Sequence, residues 1–482
     1  MFDVPLLIDG QARPARSNRT FERCNPLTGA PVSRIAAASV EDADAAVAAA
    51  QKAFPAWSAL GPAERRAYLN KAADMLEARS DEFMALAVET GAAANWYGFN
   101  VHLAAEVLRE AAAMTTQITG SVIPANMPGN FAMALRQPCG VVLGIAPWNA
   151  PIILAARAIA MPLACGNTVV LKASEQSSAV HRLLGQILQE AGLGDGVVNV
   201  ITNAPEDAPI IVERLIANPA VRRVNFTGST HVGRIIGELS ARHLKPAVLE
   251  LGGKAPVLVL EDADLEATVK AVAFGAFFNQ GQICMSTERI LVDERIAEDF
   301  IERLVRKVST LSVGDPSAGQ SVLGSMIDAV AATRVQALVD DAVAKGARLL
   351  CGGRSEGSLM QATLLDGITP EMRLYREESF GPVAVIIRAQ GDEALLALAN
   401  DSEFGLSAAV FSQNISRALN LAQRMDSGIC HINGPTVQDE PQMPFGGVKS
   451  SGYGSFGAKA SIEHFTQLRW VTVQTSPRDY PI

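Results

Sequence analysis

Between residues 139 and 260 one pattern recurs: a short apolar run followed by an amphipathic helix. "GVVLGIAP" precedes "APIILAARAIAMPLACG", "TVVLK" precedes "SSAVHRLLGQILQEAG", "VVNVI" precedes "EDAPIIVERLIAN", and "RRVNFTG" precedes "THVGRIIGELSARH"; "AVLELGG" and "APVLVL" close the series. The runs are continuously apolar rather than alternating, as strands buried on both faces must be. Strands regularly spaced by helices build a parallel, doubly wound sheet. In such a sheet, ligands lie beyond the carboxyl ends of the strands, so the residues just after each run carry the most information.

The rest of the chain is organised around that core. Residues 41–119 read as helices with apolar positions at helical spacing and acidic starts, among them "PAERRAYLNKAADMLEARSDEFMALAVETG". The Pro/Gly-punctuated segment 120–138 reads as a projecting hairpin. From about 262 to 445 a second α/β set follows, with helices over "RIAEDFIERLVRKVSTL" and "AVAATRVQALVDDAVAKG" and strands at "RILVD", "GPVAVIIRA" and "AAVFS". The tail "TQLRWVTVQ" is one more strand without a sequential neighbour, free to pair with the 120–138 hairpin within a subunit or across an interface. The expected fold is therefore α/β, with two stacked doubly wound parallel-sheet domains and a small β arm. A chain of 482 residues is also too long for one hydrophobic core.

Several function classes are disfavoured. A net charge of −9 argues against nucleic acid or an anionic membrane as partner. The most membrane-like run, 139–156, is broken at its centre by Pro147, Asn149 and Pro151, and "MFDVPLLIDG" lacks the basic start of a secretory signal. A cytoplasmic location is expected. The six cysteines contain no C-x-x-C pair and the six histidines no H-x-x-x-H, so neither disulfides nor a metal site is expected.

Candidate chemistry sits at the strand ends. In "FTGSTHVG", Gly228 and Gly233 flank Ser229 where a helix begins, an arrangement that lets an anion approach backbone N–H groups. A plain strand–helix turn has the same look. In "VVLKASE", Lys172 and Glu175 end a strand; a carboxylate there accepts from a ribose diol and repels a 2′-phosphate, which favours NAD over NADP. In "APWNAP", Trp148 and Asn149 sit between stiffening prolines, and the Asn149 amide suits a developing oxyanion or, alternatively, caps the next helix. On that helix Ala150, Ile153, Leu154 and Arg157 share one face. Arg157 is either ion-paired or meets a polar substituent of an apolar ligand.

Glu250 in "LELGGK" is set in an apolar strand, where desolvation makes a carboxylate a base near neutrality unless a cation pairs with it. Cys284 in "NQGQICMSTER" is either a core thiol or a nucleophile. Two rival signals are "GRSEG" at 353–357, which matches G-x-S-x-G without the required strand–helix context, and a cysteine hydrolase pairing Cys284 with His431.

Taken in order, "PWN", "LKASE", "FTGS", "LELGGK", "GQIC", "EESFGPV" and "PFGGVKSSGYG" resemble the motifs of the aldehyde dehydrogenase superfamily over nearly the whole chain. "NWYGFNVH" and "HINGPTVQDEPQMPFGG" are similar to the branch acting on substituted benzaldehydes such as vanillin, with the salicylaldehyde branch next. The resemblance implies a Rossmann-like NAD-binding domain from 1–119 and 139–250, a catalytic domain from 251–445, and an oligomerisation arm from 120–138 and 446–482. It implies a homodimer or homotetramer. It also implies Cys284 as nucleophile, Asn149 with the Cys284 N–H as oxyanion donors, and Glu250 activating water to hydrolyse the thioester. Branches that pass the acyl group to coenzyme A look as though they lack that glutamate. For NAD it implies Lys172 and Glu175 at the adenosine ribose, Trp148 and Ser229 near the pyrophosphate, and Glu378 and Phe380 at the nicotinamide. Trp96, Tyr97, Ala150, Ile153, Leu154, Arg157, Met285 and Phe445 are expected to line a flat apolar tunnel for an aromatic aldehyde.

Overall fold

A computed structural model describes residues 1–316 and 321–482. Its first large sheet has eight strands, ordered Gly452–Tyr453, Ala247–Glu250, Val221–Thr227, Val141–Ile145, Thr168–Lys172, Val198–Ile201, Leu6–Ile8 and Gln11–Arg13. The five from Ala247–Glu250 to Val198–Ile201 are parallel, and the outer ones antiparallel. Val141–Ile145 and Thr168–Lys172 are buried at every residue, which accounts for their unbroken apolar sequence. Helices Pro151–Ala164 and Thr230–Arg242 bring their first turns to the carboxyl edge of this sheet. Pro151 occupies the first turn of its helix, where its missing N–H costs nothing.

The second sheet has seven strands, Arg348–Cys351, Thr363–Asp366, Val383–Ala389, Thr287–Asp293, Ala255–Val259, Ser407–Phe411 and Ile429–Ile432, all parallel except the first. Here the sequence reading needs correcting. "APVLVL" does not close the first series; Ala255–Val259 lies inside the second sheet. A strand buried on both faces looks the same in either sheet, and the Gly252-Gly253 link that carries the chain across has no apolar signature. The run from 62 to 90 is also not one helix. It divides into Pro62–Ala78, Ser80–Ala85 and a 3₁₀ turn Leu86–Glu89.

The tail strand pairs within its own chain. Thr466–Gln474 runs antiparallel to Asn130–Pro138 along its whole length, and Ser121–Ile123 completes a three-stranded arm. Only this part of 446–482 belongs to the arm, because Gly452–Tyr453 joins the first sheet and helix Ala458–Phe465 packs on Pro151–Ala164. Leu468 and Trp470 of the arm are 61% and 77% exposed, a large apolar surface left open. Among the described residues no helix is long and apolar enough to cross a membrane. Nor does any group of three or more His, Cys, Asp or Glu there stand close enough to hold a metal ion.

Candidate active site

Cys284 follows a backbone held in an uncommon shape. Asn279, Gln280 and Gly281 have φ of 48°, 55° and 66°, three successive residues in the left-handed region. Two of them carry side chains, so the turn is strained unless its surroundings hold it. They do. Gln280 Nε2 donates to Ser325 O at 3.0 Å and its Oε1 accepts from Gly324 N at 3.0 Å, while Gln282 Oε1 accepts from Ile327 N at 2.8 Å. Gly281 cannot be another residue, because a Cβ there would stand 2.1 Å from Gly381 O.

The same loop is tied to Asn149. Asn279 Nδ2 donates to Asn149 O at 3.1 Å, Trp96 Nε1 donates to that oxygen at 2.9 Å, and Asn149 Nδ2 donates to Gln282 O at 3.1 Å. The helix-cap reading of Asn149 does not hold, since Ala150 occupies the cap position and no side chain caps the helix. The Asn149 amide is turned towards the cysteine loop instead.

Two cavities meet here, and Cys284, Asn149 and Leu154 line both. The first, about 380 Å³, is bounded by Trp148, Gly228, Ser229, Glu378 and Phe380, with Thr227, Leu251 and Arg334. Trp148 and Phe380 meet edge to face at 5.7 Å. Ser229 caps helix Thr230–Arg242 by accepting from Val232 N, so the helix N-terminus faces this space. A cavity that meets a helix N-terminus and is walled by an indole and a carboxylate offers groups suited to a nicotinamide dinucleotide. Gly233 is not on its wall; a Cβ there would meet the Leu251 side chain at 2.3 Å, so this glycine serves helix–sheet packing. Lys172 and Glu175 lie outside the cavity lining and are ion-paired with each other, and Glu175 also accepts from Asn203 Nδ2 at 2.9 Å.

The second cavity, about 250 Å³, takes in Trp96, Ala150, Ile153, Leu154, Arg157, Met285 and Phe445. Tyr97 is the exception among the expected lining residues. It is fully buried and its hydroxyl bonds Thr90 Oγ1 at 3.0 Å, because the next residue on a helix points about 100° away from Trp96. Arg157 is ion-paired to Asp439, the first of the two alternatives weighed for it, and the pair is part of the cavity wall. The sequence reading missed Phe99, Phe274, Phe278 and Asp439 on this wall. Phe274 and Phe278, four apart at a helix end and stacked at 4.7 Å, carried a legible signal; Asp439, in an irregular loop, carried none. Arg334 was also missed; it donates to Ser379 O at 2.6 Å and steadies the segment bearing Glu378 and Phe380.

Electrostatically the site is a buried pocket with several carboxylates. Glu250 is 1% exposed, its Oε1 has no hydrogen-bond partner, and burial holds its carboxyl well above the ordinary range. Burial, and then the neighbouring Glu250 and Glu378, push the Cys284 thiol up as well. Glu378, which accepts from Gly253 N at 2.8 Å, is raised to about 7 by burial and by nearby Glu288. A buried thiol, a desolvated carboxylate and an amide donor are together suited to acyl chemistry at a carbonyl. The rival signals have no such setting. Ser355 of "GRSEG" lies on a two-stranded ribbon, Ser355–Glu356 with Leu359–Met360, and His431 lines neither cavity.

Comparison with known proteins agrees with this geometry. The chain is 76% identical over 482 residues to a vanillin dehydrogenase of Pseudomonas fluorescens, covering all of both chains. It is 40% identical over 447 residues to an NAD(+) benzaldehyde dehydrogenase of Pseudomonas putida, covering 92% of this chain and 91% of that one. The solved structure of a salicylaldehyde dehydrogenase from Pseudomonas putida G7, complexed with salicylaldehyde, superposes with a TM-score of 0.98 at 48% identity, covering all of both chains. The model of the aldehyde dehydrogenase family matches residues 13–471, and with Cys284 and Asn149 lining both cavities and the buried Glu250 carboxyl acting on the Cys284 thiol, the chain belongs to that family.

Proposed function

We propose that this chain oxidises a substituted benzaldehyde, vanillin among the preferred substrates, to the carboxylic acid with NAD. The observation that carries the reading is the apolar cavity of about 250 Å³ that opens on Cys284. A dry cavity of about 150 Å³ already holds benzene, so this one has room for a ring and its substituents. Ala150 leaves the space beside Asn149 open, and the aromatic wall of Trp96, Phe278 and Phe445 suits a flat ligand.

In this reading the Cys284 thiol releases its proton to bulk water and Sγ bonds the aldehyde carbon, giving a tetrahedral thiohemiacetal. The Asn149 amide and the Cys284 N–H hold the developing oxyanion. Bound nicotinamide dinucleotide supplies the hydride acceptor that allows a thioester to remain on Cys284. Glu250 then takes a proton from water, whose oxygen attacks the thioester; the acid leaves and the thiol is restored. Trp148, Ser229, Glu378 and Phe380 would hold the dinucleotide, and Lys172 and Glu175, beyond the cavity lining at the end of their strand, would meet its adenosine ribose. The Glu175 carboxylate supports NAD over NADP, since it repels a 2′-phosphate. The exposed apolar strand of the arm supports a homo-oligomer, and six free cysteines suit a reducing cytoplasm.

The test is NADH formation by purified protein with vanillin, benzaldehyde, salicylaldehyde or hexanal, against a Cys284→Ser control. Fast turnover of vanillin that vanishes in the control is expected. A wide preference for hexanal would overturn the aromatic reading, and equal rates in the control would remove Cys284 from the chemistry.

A further inference from the structure

Glu378 and Phe380, two walls of the larger cavity, sit on an irregular segment between the short helix Arg373–Arg376 and strand Val383–Ala389. Phe380 has φ of 46°, in the left-handed region. A bulky side chain stays there only where its surroundings over-determine the backbone. What holds it is a buried carboxylate. Glu288 accepts from Ser379 N through both oxygens at 2.9 Å, and its Oε1 accepts from Phe380 N at 3.2 Å. Its Oε2 also accepts from Lys254 Nζ, and the two side chains are 4% and 0% exposed.

The second sheet brings these groups together. Lys254 directly precedes strand Ala255–Val259, and Glu288 is the second residue of its parallel neighbour Thr287–Asp293, with Ala255 opposite Thr287. The other neighbour of Thr287–Asp293 is Val383–Ala389, into which the segment bearing Glu378 and Phe380 leads. The link that carries Lys254 grips the same segment again. Gly253 N donates to Glu378 Oε1 at 2.8 Å, and a Cβ on Gly252 would stand 2.6 Å from Glu378 Oε2. A charge pair taken out of water is a costly way to fill a core, because apolar residues of similar volume often serve stability as well or better. Lys254 balances the charge of Glu288, and the remaining acceptor capacity goes to the two amides that set Glu378 and Phe380. Glu288 and Lys254 themselves lie outside the cavity lining.

We infer that Glu288, neutralised by Lys254, is a positioning residue for the nicotinamide end of the dinucleotide: by holding the amides of Ser379 and Phe380 it sets the Glu378 carboxyl and the Phe380 ring against that end. This rests on the reading of Glu378 and Phe380 as nicotinamide contacts and adds the group that orients them.

The experiment is calorimetric titration of the protein with NAD and with ADP, which keeps the adenosine half and lacks the nicotinamide riboside. In Lys254→Met with Glu288→Gln both charges go together and an oxygen remains for the two amides. In Lys254→Met with Glu288→Leu the acceptor goes as well. The glutamine variant is expected to bind NAD within about threefold of wild type, and the leucine variant about tenfold or more weakly, the scale of one or two lost hydrogen bonds, with ADP changed by less than about twofold in both. Misfolded protein lowers the titrated stoichiometry and not the Kd, so a merely structural role does not imitate this split. If the leucine variant does not fold, Glu288→Asp keeps the charge but draws the oxygens back from the amides by one methylene, and is expected to weaken NAD alone. An unchanged NAD Kd in the leucine variant, NAD and ADP weakened in step, or a glutamine variant as weak as the leucine one overturns the role of Glu288 and leaves the dehydrogenase reading standing. A wild type that binds ADP as tightly as NAD overturns the nicotinamide contacts assigned to Glu378 and Phe380, and one that binds neither overturns the dinucleotide reading itself.

Discussion

Replacing Glu250 with glutamine separates the two halves of the proposed reaction. The side chain keeps its shape, and because Oε1 of Glu250 makes no hydrogen bond, no partner is left behind. What is lost is a proton acceptor in a desolvated site. A positioned general base contributes about 10²–10⁴-fold to the step it serves, so steady-state turnover should fall by that factor while the first equivalent of NADH per site still forms. Rapid mixing with an excess of aldehyde reads both: a burst of about one NADH per active site followed by a slow phase is expected. The variant should also be the more stable protein at neutral and alkaline pH. Burial raises the carboxyl of Glu250 in the folded chain, so the folded state holds a proton that the unfolded chain releases. Stability then falls as pH rises above the unfolded carboxyl pKa, until the raised folded value is passed. Glutamine removes that loss, so thermal midpoints should match near pH 4 and diverge in favour of the variant towards pH 8. Burst and steady state falling together would refute the deacylation role. A variant less stable than the wild type at pH 8 would refute the desolvation argument.

Further expectations concern the frame around the site. Asn149→Ala should slow the single-turnover formation of NADH by about 10²–10³-fold, the usual loss for one oxyanion donor; an unchanged burst rate would make Asn149 only a tie to the Gln282 carbonyl. Gly281→Ala forces a Cβ towards the Gly381 carbonyl, and should lower both the melting temperature and the activity; a melting temperature equal to wild type by calorimetry would show that the loop relaxes. Glu89, buried against Ser33 Oγ at 2.6 Å, is raised to about 7 mainly by burial. Between about pH 4.5 and 7 it should therefore cost stability, roughly 3 kcal/mol by the higher pH, and denaturant titrations of Glu89→Gln should lack that slope. Trp470→Glu places a charge on the exposed arm strand, and light scattering should show a smaller assembly if the arm joins subunits.

Much of this protein was legible in the order of its residues, for local physical reasons. Continuously apolar runs such as "GVVLGI" and "TVVLK" announce strands buried on both faces, and the residues just after them, Asn149 and Glu175 among them, had to fall at the ligand edge of a parallel sheet. Glu250 in an apolar strand announced a desolvated carboxylate. Other features depended on which segments meet, and no local pattern encodes that. "APVLVL" belongs to the second sheet because only packing assigns a buried strand to its neighbours. Tyr97 turns inward to Thr90 although Trp96 beside it lines the cavity. Asn149 faces the cysteine loop rather than capping its helix because a carbonyl from 133 residues away accepts its proton. Arg157 and Asp439 are 282 positions apart and pair only once the chain has folded. Spacing along the chain determines which chemical groups are on hand, whereas their pairing, desolvation and shared cavities arise from long-range contacts that tertiary structure alone supplies.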